Sequence, residues 1–239
     1  MGKLSIVATP IGNLEDITLR ALRILKESDV IYAEDTRVIS KLLAKYEIKK
    51  SLQRLDASTE LKKADEIINR IEAGEHVAFV SDAGTPGISD PGARLVARVR
   101  EQLSRITLDN DQEVKIEAIP GASALTATLS IAGLDSPGFT FLGFLPHKKG
   151  RQTALKKTAE MVRGNSPQGE MPIVLYESPH RILKLLRELE GLEIKNVTIA
   201  RELTKIHEEV ISGTPKELQT YFDSNPDHIR GEFVVIITS

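Results

Sequence analysis

Short β-branched runs alternate with segments whose apolar residues recur every three or four positions, and this alternation organises the first half of the chain. Leu4-Ser5-Ile6-Val7-Ala8 predicts a first strand, followed by Leu19, Leu22 and Leu25 at helical spacing behind Thr18 as N-cap. Val30-Ile31-Tyr32-Ala33 is the next strand. Ile39, Leu42, Leu43 and Tyr46 then form one helical face, and Leu61, Ala64, Ile67, Ile68 and Ile71 another. A strand at Val77-Ala78-Phe79-Val80 runs into the loop from Ser81 to Gly92. There Asp90 as N-cap and Pro91 as first helical residue predict a helix, and Val114 to Ala118 closes the series. Such alternation predicts a mostly parallel, Rossmann-like α/β sheet covered on both faces.

The texture changes at Ile119-Pro120-Gly121-Ala122-Ser123-Ala124, and a domain boundary is placed there: one α/β domain over 1–118, a second over 119–239. A helix rich in small residues from Ala122 to Ile131 stops at Gly133. Strands are expected at Phe139 to Leu142, Ile173 to Tyr176, Val197 to Ala200, Glu209 to Ile211 and Phe233 to Ile237, so the second sheet should be mixed. Ser178-Pro179 opens one helix and Thr214-Pro215-Lys216-Glu217 another, the latter as a capping box. Asn165 to Gly169 reads as an exposed loop.

Composition narrows the class. With 239 residues, 41% of them hydrophobic, the chain can fill a real core. It has no apolar run long enough for a membrane span, its N-terminus leads into a strand rather than a signal peptide, and it has no cysteine. A cytoplasmic setting is therefore expected. The net charge of −2 conceals 32 basic against 34 acidic residues, so a nucleic-acid partner would have to be met by a local basic patch.

The loop Asp82 to Gly92 is the most specific local signal, because its glycines and prolines free some dihedrals and fix others, letting main-chain groups approach a ligand. Two further turns, Thr9-Pro10-Ile11-Gly12-Asn13 and Pro120-Gly121-Ala122-Ser123-Ala124, also follow strands. In a parallel sheet all three could converge on one crevice, although plain turns would use the same residues. Familiar chemistries fail on spacing: there is no G-x-x-x-x-G-K-[ST], no G-x-G-x-x-G after the first strand and no H-E-x-x-H. Lys205-Ile206-His207-Glu208-Glu209 lacks a second histidine, so it reads as a solvated polar turn and no metal is expected. Ser123 and Ser178 lack a nucleophile-elbow context.

Seven ordered strings then carry a resemblance over nearly the whole chain. They are V-A-T-P-I-G-N-L-E-D-I-T-L-R-A-L (Val7 to Leu22), A-E-D-T-R (Ala33 to Arg37), V-S-D-A-G-T-P-G-I-S-D-P-G (Val80 to Gly92), I-P-G-A-S-A (Ile119 to Ala124), G-F-L-P (Gly143 to Pro146), Y-E-S-P-H-R (Tyr176 to Arg181) and A-R-E-L-T-K (Ala200 to Lys205). Together they resemble the ribosomal RNA small subunit methyltransferase I family of the tetrapyrrole methylase superfamily. The resemblance implies two α/β domains with S-adenosylmethionine in the cleft between them, and a homodimer. It also implies 2'-O-methylation of one cytidine in the decoding region of 16S rRNA (1402 in the family's rRNA naming), with the assembled small subunit as preferred substrate.

By the same resemblance Pro10, Gly12, Asp82, Gly84, Thr85, Pro86, Ser123 and Ala124 bind the cofactor, with Tyr176 and Ala200 lining the opposite wall; Tyr176 also fits ordinary core packing. Candidates to orient the ribose 2'-hydroxyl and take its proton are Asp35, Arg37, Glu177, Arg181, Arg201, Glu202 and Lys205. Lys205 is the leading acceptor and Glu202 its holder, while Arg201 with Glu202 also fits a structural ion pair. Lys148, Lys149 and Arg151, with Lys156 and Lys157 a turn or so on, form the densest basic cluster and are candidates for RNA phosphate contacts, though a solvated face has the same composition. Two departures stand out. The family's His-rich segment is replaced by Leu55-Asp56-Ala57-Ser58-Thr59-Glu60, and Ser104 to Glu113 is longer than usual, which suggests a hairpin-like surface insertion. A tetrapyrrole-type small-molecule methylase and a non-catalytic ribosome-assembly factor are the alternative functions.

Overall fold

The computed structural model describes residues 2–110, 115–164 and 170–239. The chain divides into two compact units, Met1–Ser123 and Ala124–Ser239. In the first, β1 (Lys3–Val7), β2 (Val30–Ala33), β3 (Ser51–Arg54), β4 (His76–Val80) and β5 (Lys115–Ile119) form one sheet in the order β3-β2-β4-β1-β5. Every neighbouring pair is parallel. The crossovers carry α1 (Leu19–Glu27), α2 (Thr36–Lys45), α3 (Glu60–Glu72) and α4 (Ala93–Asn110).

Alternate residues of the buried strands serve two cores. Val7, Ile31, Ala33, Ala78 and Val80 pack with Ala21, Ile24, Leu25, Ile39, Leu42 and Leu43 of α1 and α2. Leu4, Val30, Tyr32, Val77 and Phe79 pack with Ala64, Ile67, Ile68 and Ile71 of α3 and Leu95 and Val99 of α4. Thr18 caps α1 as expected, its Oγ1 accepting from Ala21 N at 3.1 Å, but Leu19 is exposed and the inward face begins at Ala21. Leu61 is likewise exposed, and its expected place on the inward face of α3 is taken by buried Glu60.

That glutamate corrects the expected start of α4. Neither Asp90 nor Pro91 opens the helix: Gly92 has φ +127°, and α4 begins at Ala93. Its first amides are satisfied from a neighbouring helix, because Glu60 Oε1 accepts from Gly92 N at 2.8 Å and from Leu95 N at 2.9 Å. Gly92 has no room for a side chain either, since a Cβ there would lie 2.7 Å from Phe79 Cε1. The hairpin expected at 104–113 is also corrected, since 104–110 continue α4 to Asn110; residues 111–113 lie outside the described residues.

In the second unit α5 (Ala124–Ile131), α6 (Arg151–Val162), α7 (Ile182–Gly191) and α8 (Pro215–Ser224) accompany five strands. These are β6 (Thr140–Phe144), β7 (Ile173–Glu177), β8 (Asn196–Arg201), β9 (Glu209–Gly213) and β10 (Phe233–Thr238), in the order β6-β7-β10-β8-β9. The sheet is mixed: β6 and β7 are parallel, whereas β10 is antiparallel to both β7 and β8, and β9 to β8. Leu155, Val162, Leu175, Leu185, Ile199, Phe222 and Val235 belong to its core. The capping box forms at α8, where Glu217 N donates to Thr214 Oγ1 at 3.2 Å and Thr214 N to Glu217 Oε2 at 2.8 Å. After Ser178-Pro179 a turn intervenes before α7, with Ser178 O accepting from Arg181 N and Ile182 N. The expected loop at Asn165 to Gly169 lies outside the described residues.

Candidate functional site

Strands β4, β1 and β5 are adjacent and parallel, so the turns that follow them leave the same edge of the sheet. The backbone ties them together. Thr9 and Gly84 form an antiparallel bridge, Thr9 N donating to Gly84 O at 2.9 Å and Gly84 N to Thr9 O at 3.0 Å. Ala8 N donates to Ile119 O at 3.1 Å, and Thr85 Oγ1 donates to Ala122 O at 3.1 Å. Convergence of the three turns is therefore a feature of the first unit, and it gathers Pro10, Gly12, Asp82, Gly84, Thr85, Pro86 and Ser123 at one end of the sheet. Ala124 begins α5 in the second unit. Gly84 has φ +79°, and a Cβ there would meet only Ile11 Cγ2 at 3.4 Å and Ala122 O at 3.7 Å. What demands glycine is its backbone angle, not lack of space.

Acidic side chains gather beside these turns, where β2 ends. Asp82 Oδ1 accepts from Asp35 N at 2.8 Å. Asp35 caps α2 and faces Arg37 side-on, its Oδ1 accepting from Arg37 N at 2.8 Å and from Nε at 3.0 Å. The guanidinium of Arg37 holds the Asp35 carboxyl down at about 2. Asp35 and Arg37 thus fasten the start of α2 to one another. Glu34, which the sequence reading passed over inside A-E-D-T-R, is half-buried among Asp82, Asp90, Asp56 and Asp35. Partial burial first, and then these like charges, push its carboxyl up to about 7.

A raised carboxyl penalises the folded protein once the group must ionise, so the penalty is absent below the unfolded value near 4.5 and grows as pH rises toward 7. Replacing Glu34 by Gln should therefore stabilise the protein at pH 8 by about 1 kcal/mol after solvent screening, and do nothing at pH 4. Urea midpoints at the two pH values read this directly, and an equal difference at both would contradict it.

In the second unit the candidates separate. Arg201 is buried and donates through Nε to Glu209 Oε2 at 2.6 Å, its cross-strand neighbour in the β8–β9 register, rather than to Glu202. Tyr221 OH also donates to Glu209, and burial followed by that bond pushes its phenol up to about 12. Glu202 instead pairs with Lys205, Nζ to Oε1 at 2.7 Å. The loop bearing them is conformationally unusual, with φ +50° at Glu202 and +64° at Thr204. Gly231 makes room for the Glu202 carboxylate, since a Cβ on Gly231 would fall 1.8 Å from its Oε1. Tyr176 and Ala200 lie on either side of Val234 in neighbouring strands, and the Tyr176 ring meets Phe141 and Phe144 edge-on at 4.9 and 5.5 Å.

Three of the candidates meet in one ion-pair network. Glu177 is fully buried between Arg181 and Arg151, its carboxylate engaged within the protein, whereas the Arg181 side chain stays partly exposed. Arg151 turns inward, 3% exposed, and is engaged with Glu188 and Glu177, so it leaves the basic surface that Lys148, Lys149, Lys156 and Lys157 present to solvent. Among the described residues no helix is long and apolar enough to cross a membrane, and no group of three His, Cys, Asp or Glu could hold a metal ion.

A parallel sheet with clustered glycine-proline turns, followed by a mixed five-stranded sheet, defines the class of the tetrapyrrole methylases. The family model described as Tetrapyrrole (Corrin/Porphyrin) Methylases matches residues 3–219. Solved structures share the architecture at low sequence identity. A diphthine synthase superposes with TM-score 0.70 at 16% identity, covering 99% of this chain and 90% of that chain. A uroporphyrin-III C-methyl transferase from Thermus thermophilus, complexed with S-adenyl homocysteine, gives 0.60 at 18%, covering 100% and 98%. Within the class, the chain belongs to the ribosomal RNA small subunit methyltransferase I family. Members so named include one from Borrelia garinii subsp. bavariensis, 43% identical over 98% of both chains, and one from Thermotoga maritima, 42% identical over 100% of this chain and 99% of that one.

Proposed function

We propose that this protein transfers the methyl group of S-adenosylmethionine to the ribose 2'-hydroxyl of the decoding-region cytidine, 1402 in the family's naming, of 16S rRNA, acting on the small subunit as a cytoplasmic homodimer. The observation that carries the reading is the cross-linked set of three turns in a chain more than 40% identical, end to end, to proteins named ribosomal RNA small subunit methyltransferase I.

The turns suit such a cofactor chemically. Residues 9–13, 81–87 and 120–124 contain no lysine or arginine, and Glu34, Asp82 and Asp90 stand nearby, so the local charge favours a sulfonium. Pro10, Gly12, Asp82, Gly84, Thr85, Pro86 and Ser123 would hold it largely through main-chain groups. Bound S-adenosylmethionine supplies an activated methyl carbon with a good leaving group. The protein's task is then to align the ribose oxygen in line with that carbon and handle its proton. Lys205 and Glu202 perform this task, Arg201 anchoring the strand end from which they project through its bond to Glu209. Lys148, Lys149, Lys156 and Lys157 meet RNA phosphates.

Incubation with methyl-labelled cofactor and, separately, small subunits, free rRNA and a porphyrinoid tests the proposal. Label should enter the small subunit, at a nucleotide resistant to alkaline cleavage. Label in the porphyrinoid alone would make the protein a small-molecule methylase, and no label anywhere would favour a binding protein.

A further inference from the structure

The loop Leu145 to Gly150, between β6 and α6, carries His147, Lys148 and Lys149, all exposed. Such a loop would ordinarily be free to move, yet buried charge holds its first two carbonyls. Arg181 Nη2 donates to Leu145 O at 3.1 Å and Arg151 Nη1 to Pro146 O at 3.4 Å. Both guanidinium groups are held by one carboxylate. Glu177, at the carboxyl end of β7 and fully buried, accepts from Arg181 Nε at 2.5 Å through Oε1 and faces Arg151 Nη1 at 3.5 Å through Oε2. The far side of Arg151 is held by Glu188 of α7, with Nε to Oε2 at 2.9 Å. At the other end of the loop Arg151 N donates to Lys148 O at 3.2 Å, and Gly150 turns the chain into α6 with φ +86°.

Resting on the reading of this protein as an rRNA methyltransferase, we infer that Glu177 is a positioning residue for RNA. Through Arg181 and Arg151 it fixes the path of the Leu145–Gly150 loop, so that Lys148 and Lys149 are presented to phosphates in one geometry. A core of apolar residues alone would leave the loop carbonyls without donors. The arrangement places a buried acid in charge of a surface cation pair, and its effect belongs on substrate affinity and not on the methyl-transfer step.

The test compares E177Q, K148A/K149A and the triple variant in methylation of small subunits, with cofactor affinity measured alongside. Wild-type protein should label the subunits. E177Q and K148A/K149A should each raise KM for subunits about tenfold, keep kcat and cofactor affinity within about twofold, and lower the salt slope of log affinity by about 1.5, the share of two phosphate contacts. The triple variant should be no worse than K148A/K149A, because Glu177 acts through those lysines. If E177Q does not fold, R181K gives the same readout, since it keeps a cation while losing the donor to Leu145 O. Failure of the wild type to label subunits refutes the rRNA reading itself. Labelling by the wild type with a normal KM in E177Q or R181K, or additive losses in the triple variant, overturns the positioning role alone.

Discussion

Gly84→Val should weaken S-adenosylmethionine binding by about 10- to 100-fold, the equivalent of the strain that a β-branched residue carries at positive φ. The site itself has space for a Cβ, with Ile11 Cγ2 no closer than 3.4 Å, so the cost arises at the backbone angle of +79°. To relieve it the loop must rotate Gly84, and that breaks both hydrogen bonds of the Thr9–Gly84 bridge. Thr85 then loses its register with Ala122, and the three turns separate. The apolar cores of the first unit lie on the two faces of the sheet and do not include Gly84, so cooperative unfolding should survive with a melting point lowered by a few degrees. Calorimetric titration with the cofactor, beside a thermal melt, separates the two effects. Affinity within threefold of wild type would reduce the loop to a plain turn.

The largest kinetic effect is expected at Lys205. Lys205→Met keeps the length and apolar stem but removes the ammonium, and should lower kcat on small subunits by about 10²- to 10⁴-fold while cofactor affinity stays unchanged. The scaffold should tolerate it, because the loop is held by other bonds: Lys205 N to Glu202 O, Glu208 N to Lys205 O, and Thr204 N to the Glu208 carboxylate at 2.6 Å. Gly231 continues to seat Glu202 whatever stands at 205. Single-turnover measurement with saturating cofactor isolates the chemical step. A rate within threefold of normal would remove Lys205 from the chemistry.

What the sequence disclosed, and what it withheld, follows from the range of the interactions involved. Strands such as Val30–Ala33 and His76–Val80 are buried on both faces and announce themselves as continuous apolar runs. Strand β3 escaped notice because it is an edge strand, and Ser51, Gln53 and Arg54 leave only Leu52 as an apolar mark. The three converging turns were legible because glycine and proline encode their own local geometry. Side-chain partners were not, because they depend on register. Arg201 is next to Glu202 in sequence but opposite Glu209 across two strands, and the antiparallel pairing decides between them. Arg151 looked like part of a cationic run, and only the fold shows that the first residue of α6 points at Glu177 while its neighbours face outward. Glu60 did leave a trace. It occupies the first position of the face continued by Ala64, Ile67, Ile68 and Ile71, an acid in register with a core.

That glutamate also governs how the loop from Ser81 to Gly92 comes apart. The downstream end of the loop is fastened to α3, thirty-two residues back along the chain, through the amides of Gly92 and Leu95. Those amides exchange with solvent only when their bonds to Glu60 break, which requires the start of α4 to part from α3. The loop is therefore tethered at one end by the Thr9 bridge and at the other by Glu60. Opening of the stretch between these fixed points therefore draws on a cooperative unit larger than the loop itself.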